Sequence, residues 1–589
     1  MTRRPAPPEP DRDRAAFPGS RPLPVHRWGR ARCRCGARPL TTVDHTAPEV
    51  SAVAPLARTV LSALRDAPEG VCLYYPKGRR GFTALSNADA AARSLSTAAA
   101  LARAGIRPGH RVAVLTRDPV ELGTCVLTLT GMGAVPVLVD GSLPLPMMRR
   151  CLAAAAPDAL LAEPLAHVAA RLLGWGGGTV RHRVVAGPPA WPGRTLDRLR
   201  RAVPPWQVMT DSRDDAPAMV VFTSGATGPP RGVLYRHGTV RAQVQALPRS
   251  LDLAGRTVVA AFVPAAVLGP LLGATTVIPR LDLTRPTRVR ARALADAVNR
   301  TGADTLLGSP ALLDRLARHC VRTLTPLPTL RDVFSFGASL PYAVLDRLRV
   351  CLTAAATVHS VYGATEALPV STIDHRELLP LRSATARGHG VCLGRPVPGV
   401  TVRVLPLDPL SPERDTEGLP CGVAGELAVA GANVSPAYLD PADTRAAKAY
   451  GAYGGVVHRM GDVGSLDAQG RVWFYGRLAH RLRTAEGDVF TERVEPALDA
   501  LPGVRRTALV GVGAATAQRP VVIVEPEPGA PRAARAMVRR AIQEALEGLE
   551  RPVTGAVPVL FHRSLPVDHR HGAKIDRARL ARWAAARLT

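Results

Sequence analysis

"VFTSGATGPPRGVLYRHG", Val221 to Gly238, runs an apolar strand into a loop dense in glycine and hydroxyl side chains. Its centre, Thr223 to Gly232, reads T-S-G-x-T-G-x-P-R-G. Glycine lets a backbone approach an anion closely, because no Cβ intervenes and positive φ is open to it. Hydroxyls and successive backbone N–H groups then donate to phosphate oxygens. The G-K-[ST] ending of a Walker A loop is absent. The stretch therefore predicts a phosphate-wrapping loop of another kind, seated at the end of a buried strand, and not a flexible surface turn.

Outward from this loop, helical and strand patterns alternate from about residue 50. "TALSNADAAARSLSTAAALARAGI" (83–106) reads as helix, "RVAVLT" (111–116) as strand, "PVELGTCVLTLTGMGA" (119–134) as helix and "VPVLVD" (135–140) as strand. "AMVVFTSG" and "ADTLLGSP" continue the series. Such alternation predicts an α/β protein with a largely parallel sheet buried on both faces. Near Gly399 the texture changes to short strands, "GVTVRVLP", "GELAVAG" and "GRVWFYG". A smaller α/β unit is expected from about Gly476, with the strand "TALVGVG", the helix "RAARAMVRRAIQEALEGL" and a closing Arg/Ala-rich helix. Residues 1–48 are rich in Pro and Arg without apolar period and are expected to form a disordered tail.

Composition narrows the function classes. The chain has 589 residues, 46% hydrophobic and 21% charged, enough to bury sizeable cores. Its net charge of +28 invites a nucleic-acid reading, yet the basic residues are spread out and no run interleaves them with aromatics. Only Lys77, Lys448 and Lys574 are lysines among 76 Lys and Arg residues. Cys33 and Cys35 lack a second Cys/His pair at zinc spacing. Scattered cysteines and the lack of a signal-peptide core fit a reduced, cytoplasmic setting. Thr257 to Pro279 carries no charge over a membrane-spanning length. Pro264, Gly269, Pro270 and Gly273 interrupt it, so a buried strand, turn and helix start are expected.

The loop resembles the phosphate loop of the adenylate-forming superfamily of acyl-CoA synthetases, luciferases and peptide-synthetase adenylation domains. Further motifs of that superfamily follow in order: "FGAS" (336–339), "VYGATEA" (361–367), "HRMGDVG" (458–464), "GR" (476–477) and "RHGAKIDR" (570–577). The resemblance covers roughly residues 50 to 589. It implies a large N-terminal domain (49–475) of layered α/β subdomains with a small β-rich subdomain, and a mobile smaller α/β lid (476–589) that carries a catalytic lysine. It implies ATP and Mg²⁺ as cofactors. By the same resemblance Thr223, Ser224, Gly225, Thr227, Gly228 and Gly232 cradle phosphate, and Gly337, Ala338 and Ser339 contact adenine. Tyr362 offers a face for stacking adenine, Gly363 belongs to the same motif, and Thr365 brings a hydroxyl to the α-phosphate. Glu366 holds Mg²⁺, a hard cation suited to carboxylate and phosphate oxygens. Asp462 accepts the ribose hydroxyls, and Arg477 touches the ribose where the interdomain link begins. Lys574 bridges carboxylate and α-phosphate as charge shifts. In so lysine-poor a chain, a generic basic position would have become arginine, and a compact ammonium on a flexible stem suits a reach into a closing site.

Departures from the superfamily pattern point to one branch. Arg231 stands where lysine is usual, and still binds phosphate. The run "AFVPAAVLGP" (261–270) lacks a customary histidine. Ala479 replaces the Asp or Lys of the hinge, the link to Gly487 is one residue longer than in CoA ligases, and Ala573 separates Gly572 from Lys574. These features look like the β-lactone synthetases of long-chain olefin and β-lactone biosynthesis. Such enzymes activate a 2-alkyl-3-hydroxy fatty acid as acyl-adenylate, and its own β-hydroxyl then closes the lactone. A tethered nucleophile needs no second binding site, whereas two alkyl arms need a generous apolar tunnel, expected around Ala260–Ile278 and Leu306–Leu312. A fatty acyl-CoA ligase and a non-catalytic basic binding protein are the alternatives. The resemblance implies thiolase-like, reductase or decarboxylase pathway partners and no nucleic acid. "GVGAAT" (511–516) reads as a strand-ending turn, and His569 and His571 beside Asp568 as orienting groups and not metal ligands.

Overall fold

The computed structural model describes residues 56–588 except 79–80, 177, 188–192, 203–211, 224–228, 262–271, 281–289, 409–417, 451–454, 554, 556 and 568–573. The N-terminal tail, Ser224, Gly225, Thr227, Gly228 and the Asp568–His571 group therefore lie outside the described residues.

Two large sheets have parallel centres and antiparallel margins. In the seven-stranded sheet, strands Arg111–Leu115, Val135–Leu138 and Pro217–Phe222 lie side by side and parallel. The strand Gly232–Arg236 pairs antiparallel with Pro217–Phe222, so the glycine-rich loop is the tip of a hairpin. The nine-stranded sheet joins Thr257–Ala260, Thr305–Gly308, Asp332–Phe336 and Thr357–Ala364 in parallel and is edged by antiparallel strands. Near-continuous burial along Thr305–Gly308 is what a doubly covered parallel strand requires. A six-stranded antiparallel sheet follows, containing Val400–Leu405, Gly425–Gly431, Val456–Leu466 and Val472–Arg477. Beyond Gly476 come a two-stranded ribbon and a three-stranded sheet, covered by helices Thr491–Asp499, Arg535–Glu547 and Arg577–Leu588. The α/β expectation thus holds, with antiparallel edges added to the parallel core.

Two expectations need correction. The helix read from Thr83 begins at Asn87, because Gly81–Ser86 is a strand paired with Val71–Lys77. The Ser86 hydroxyl accepts from Asp89 N at 3.0 Å and donates to the Asp89 carboxylate at 2.8 Å. Such a cap is worth about 1 kcal/mol and fixes the helix start. In Thr257–Pro279, the first four residues form the expected buried strand, residues 262–271 lie outside the described residues, and Thr275–Val277 is a second strand that was not expected. Its β-branched residues pair in parallel with Thr257–Val259. Among the described residues no helix is long and apolar enough to cross a membrane. Cys72, Cys125, Cys151, Cys320, Cys351 and Cys392 are buried free thiols, and Cys421 is an exposed one.

Candidate active site

The phosphate loop is closed at its base by its own ends. Thr223 N donates to Arg231 O at 3.0 Å, and Arg231 N donates to Thr223 Oγ1 at 3.3 Å. Gly232 sits in a tight space: a Cβ there would stand 2.8 Å from Leu439 Cδ1 and 3.1 Å from Phe222, so those side chains would have to shift. The Arg231 guanidinium pairs with Asp443 at 3.1 Å and lies 5.7 Å from the Tyr438 ring centre.

Across from this loop, Thr357–Ala364 and Ala367–Asp374 pair antiparallel, with Ala364 opposite Ala367. Thr365 and Glu366 are therefore the two residues of a tight turn, which projects both side chains at the sheet's end. Tyr235 Oη donates to Thr365 O, and Ser435 N donates to Glu366 O at 2.7 Å. Tyr438 Oη donates to Glu366 Oε1 at 2.7 Å and orients that carboxylate. Gly363 is equally constrained: an added Cβ would meet Ala367 O and Leu368 Cδ1 at 2.8 Å. Gly337, at the end of Asp332–Phe336, has φ of 92°, a turn that favours glycine.

Asp462 and Arg477 face each other across neighbouring antiparallel strands. Arg477 Nε lies 3.1 Å from Asp462 Oδ1, while Tyr362 Oη donates to Asp462 Oδ2 at 2.7 Å. Arg477 also donates to Met460 O at 3.2 Å. The Asp462 carboxylate holds the Arg477 guanidinium above its ordinary pKa. Burial and the neighbouring Asp462 charge push the Tyr362 phenol well up, so it stays protonated and donating.

Thr223, Arg231, Gly337, Thr365, Glu366, Arg477 and Lys574 all line one cavity of about 1060 Å³. Tyr362 and Asp462 stand directly behind Arg477 through the bonds above. Gly232, Gly363, Ala338 and Ser339 shape the adjoining turns without lining the cavity. Lys574 comes from the far end of the chain. Val567 bridges to Ile575, and Asp576 N donates to Pro566 O at 2.9 Å. Arg577, three residues past the lysine, bonds Glu495 at 2.5 Å, and Glu495 in turn accepts from Leu509 N at 2.7 Å. Lys574 is thus held at the cavity by a chain of contacts reaching into the C-terminal sheet.

Sequence reasoning missed Tyr438, Lys448 and His458. Tyr438 is buried between Arg231 and Lys448, whose Nζ lies 5.3 Å from the ring centre and donates to Ser435 Oγ at 3.1 Å. Burial pulls the Lys448 ammonium down to about 8, against the opposing pull of Glu366. His458 lines the cavity, and burial followed by the Lys448 charge pushes its imidazole well below the ordinary value. Its Nδ1–H donates to Ala447 O at 3.1 Å, which leaves Nε2 as an acceptor. The scarcity of lysine that singles out Lys574 points equally at Lys448. Among the described residues of the expected tunnel runs, Ala261, Gly308, Ser309 and Leu312 line the cavity, while Ala260, Val277 and Leu306 are packed core; residues 262–271 lie outside the described residues. The large apolar remainder of the lining comes instead from helix His237–Leu251 and from the seven-stranded sheet with its helices.

The family described as AMP-binding enzyme matches residues 62–439, which hold the phosphate loop, the Thr365–Glu366 turn and Tyr438. The chain belongs to that family. Within it, the olefin β-lactone synthetase of Stenotrophomonas maltophilia (strain K279a) is 41% identical over 546 residues, covering 89% of this chain and 97% of that protein. The olefin β-lactone synthetase of Xanthomonas campestris pv. campestris is 41% identical over 537 residues, covering 88% and 96%. Among solved structures, the amide bond synthetase McbA from Marinactinospora thermotolerans aligns with TM-score 0.72 at 25% identity, covering 90% of this chain and 99% of that chain. ATP-bound MatB from Rhodopseudomonas palustris aligns with TM-score 0.73 at 20% identity, covering 91% and 100%, and shares the fold. The family enzyme therefore replaces the non-catalytic basic binder as the reading of this chain.

Proposed function

We propose that this enzyme uses ATP to activate a 2-alkyl-3-hydroxy fatty acid as its acyl-adenylate and then closes the acid's β-hydroxyl onto the acyl carbon. Pyrophosphate leaves in the first step, and AMP leaves with lactone closure in the second. One observation carries the reading: Lys574, Thr365, Arg231 and Arg477 converge on a single cavity whose remaining lining is largely apolar. Its volume of about 1060 Å³ suits a nucleotide together with a bulky acyl group. The 41% identity to two olefin β-lactone synthetases along nearly the whole chain supports the same reaction class.

The roles follow from position. Lys574 meets the substrate carboxylate and the α-phosphate, neutralising charge that grows as the new bond forms. Thr365 donates to the α-phosphate, and Arg231 with Thr223 holds the phosphate tail. Asp462, fixed by Tyr362 and Arg477, accepts from the ribose. Glu366 would hold Mg²⁺. It is an acceptor already aimed by Tyr438, and among the described residues no group of three His, Cys, Asp or Glu side chains gathers as a closed metal site. This fits a cation that takes one protein carboxylate and otherwise phosphate and water oxygens. Bound Mg²⁺ would offset negative charge on the phosphates. Residues 476–589 act as the lid that carries Lys574 in. Their contacts with the rest of the chain include polar ones, Glu550 with His389 and Arg387 and Glu527 with Arg318 at 3.4 Å, and an apolar one where Phe490 stacks on Tyr475. The polar share of that interface favours domain motion.

The test uses purified protein, Mg-ATP and a synthetic 2-alkyl-3-hydroxy fatty acid without CoA. Pyrophosphate release and an unheated NMR spectrum showing a four-membered lactone are expected. Pyrophosphate release that requires CoA, with an acyl-CoA product, would assign a ligase instead.

A further inference from the structure

The apolar lining of the cavity divides between the two faces of one sheet. Val114, Leu138 and Val221 stand in register on three neighbouring parallel strands and share a face. Successive strand residues point to opposite faces, so Leu115 and Phe222 turn the other way. All five line the same cavity. On the Val114 face the lining continues with Val126 of helix Pro119–Gly131 and with Val244 and Leu247 of helix His237–Leu251. On the Leu115 face it continues with Met148 of helix Leu145–Ala155, Ala169 of helix Pro164–Leu172, and Trp175. These three pack in one cluster with Leu115, separate from the clusters on the Val114 face. The two sets join around the carboxyl ends of the strands, where Thr116, Asp140 and Thr223 also line the cavity.

A nucleotide and one unbranched chain require a single apolar arm. Two arms that leave the strand ends on opposite faces require a ligand that branches where it meets the phosphate loop. We infer that the cavity forks around these strand ends, and that each arm receives one alkyl branch of the acid, with the carboxyl group at the fork. This rests on the proposed function and adds a second chain-binding subsite, on the Leu115 face. Leu145 and Leu165 belong to that arm's lining and are exposed, so it opens to the surface and sets no sharp length limit. The Val114-face arm ends among buried side chains such as Val244 and Leu247 and selects length more strictly.

The experiment measures pyrophosphate release from 2-alkyl-3-hydroxy acids in which either the 2-alkyl or the 3-alkyl branch is cut to methyl. Ala169→Phe blocks one arm and Val244→Phe the other. Ala166→Phe, at another lining residue of the Leu115-face cluster, and Leu247→Phe serve as second variants, and thermal denaturation checks that each folds. Each variant is expected to lower kcat/KM at least tenfold for the doubly long acid. Shortening one branch restores Ala169→Phe, and shortening the other restores Val244→Phe. Rescue of both arms by the same branch, or no effect of Ala169→Phe and Ala166→Phe on any acid, overturns the fork. Equal kcat/KM of the unaltered enzyme for straight and branched acids overturns it too. The lactone product is scored separately. Release without lactone refutes ring closure, while the rescue pattern still reads the arms.

Discussion

Lys574 and Tyr438 both line the cavity, and their loss is expected to differ in kind. Lys574→Ala removes the cation placed to meet the charge developing between carboxylate and α-phosphate, while the ribose and phosphate contacts remain. Adenylate formation should fall to background with ATP binding retained, as followed by pyrophosphate exchange and by calorimetric titration of ATP. Turnover at the unaltered rate would remove the role. Tyr438→Phe deletes only the hydroxyl that aims Glu366. A hydrogen bond to a charged group is worth about 1.5–3 kcal/mol, so the Mg-ATP concentration for half-maximal rate should rise about tenfold. A Mg²⁺ titration of activity checks this, and an unchanged midpoint would separate Tyr438 from the carboxylate's task.

At the scale of elements, helix Thr491–Asp499 links the lid's core to the lysine loop. Burial pushes Glu492 up to about 7 and Asp499 up to about 8, with Glu495 adding repulsion to both. The facing charges are Glu495 on the same helix, Arg577 at the start of helix Arg577–Leu588 and, for Glu492, Asp462, while Thr507 donates to Asp499 through N and Oγ1. Unfolded carboxyls give up their protons near pH 4. The folded helix keeps them longer, so stability from these groups is full below that point and is lost as pH rises towards 7 and 8. Asp499→Asn should flatten the decline between pH 5 and 8 in urea denaturation; an unchanged slope would place the titration elsewhere. Elements of this kind were readable from pattern: the alternation of apolar strands and periodic helices predicted most of them. The strand Gly81–Ser86 was not, because Thr-Ala-Leu-Ser continues into an alanine-rich run, and only the pairing with Val71–Lys77 makes it extended. Motif residues that share one cavity, such as Thr365, Arg477 and Lys574, could be singled out because each type suits phosphate, ribose or carboxylate chemistry. Tyr438 meets Glu366 across about seventy positions, and Lys448 and His458 join it through the Tyr438 ring, distances no local spacing encodes. The apolar arms were hidden for another reason. A side chain lining a tunnel and one filling a core have the same chemistry, as Leu312 and Leu306 illustrate.

At the scale of the whole molecule, the proposed lid meets the rest of the chain through partly exposed ion pairs, through Arg493, which donates to Gly388 O at 2.7 Å and stacks on Tyr475, and through Phe490, which packs on the same ring. Exposed pairs contribute roughly 0.2–1 kcal/mol each, so no single one locks the lid. Reversing a charge is harsher, since Glu550→Lys would face Arg387 and His389. Adenylation should slow severalfold while ATP affinity stays within about twofold, a split that stopped-flow pyrophosphate release and equilibrium binding would show. Equal loss in both would mean that the lid also builds the nucleotide site. Gly476, where the lid begins, has φ of 129°, and a Cβ there would stand 2.5 Å from Thr491 Oγ1. The junction is therefore specified by backbone freedom and close approach together.

The scarcity of lysine also gives the protein a built-in set of chemical reporters. Lys77 is exposed, Lys448 is buried, and Lys574 sits at the cavity. An amine-selective acylating reagent should therefore mark Lys77 at once, spare Lys448 until the fold opens, and reach Lys574 only while the lid and nucleotide leave it accessible. With so few amines to tell apart, peptide masses from one short labelling reaction would report surface, core and active site separately, and the label on Lys574 would track the working position of the lid during turnover.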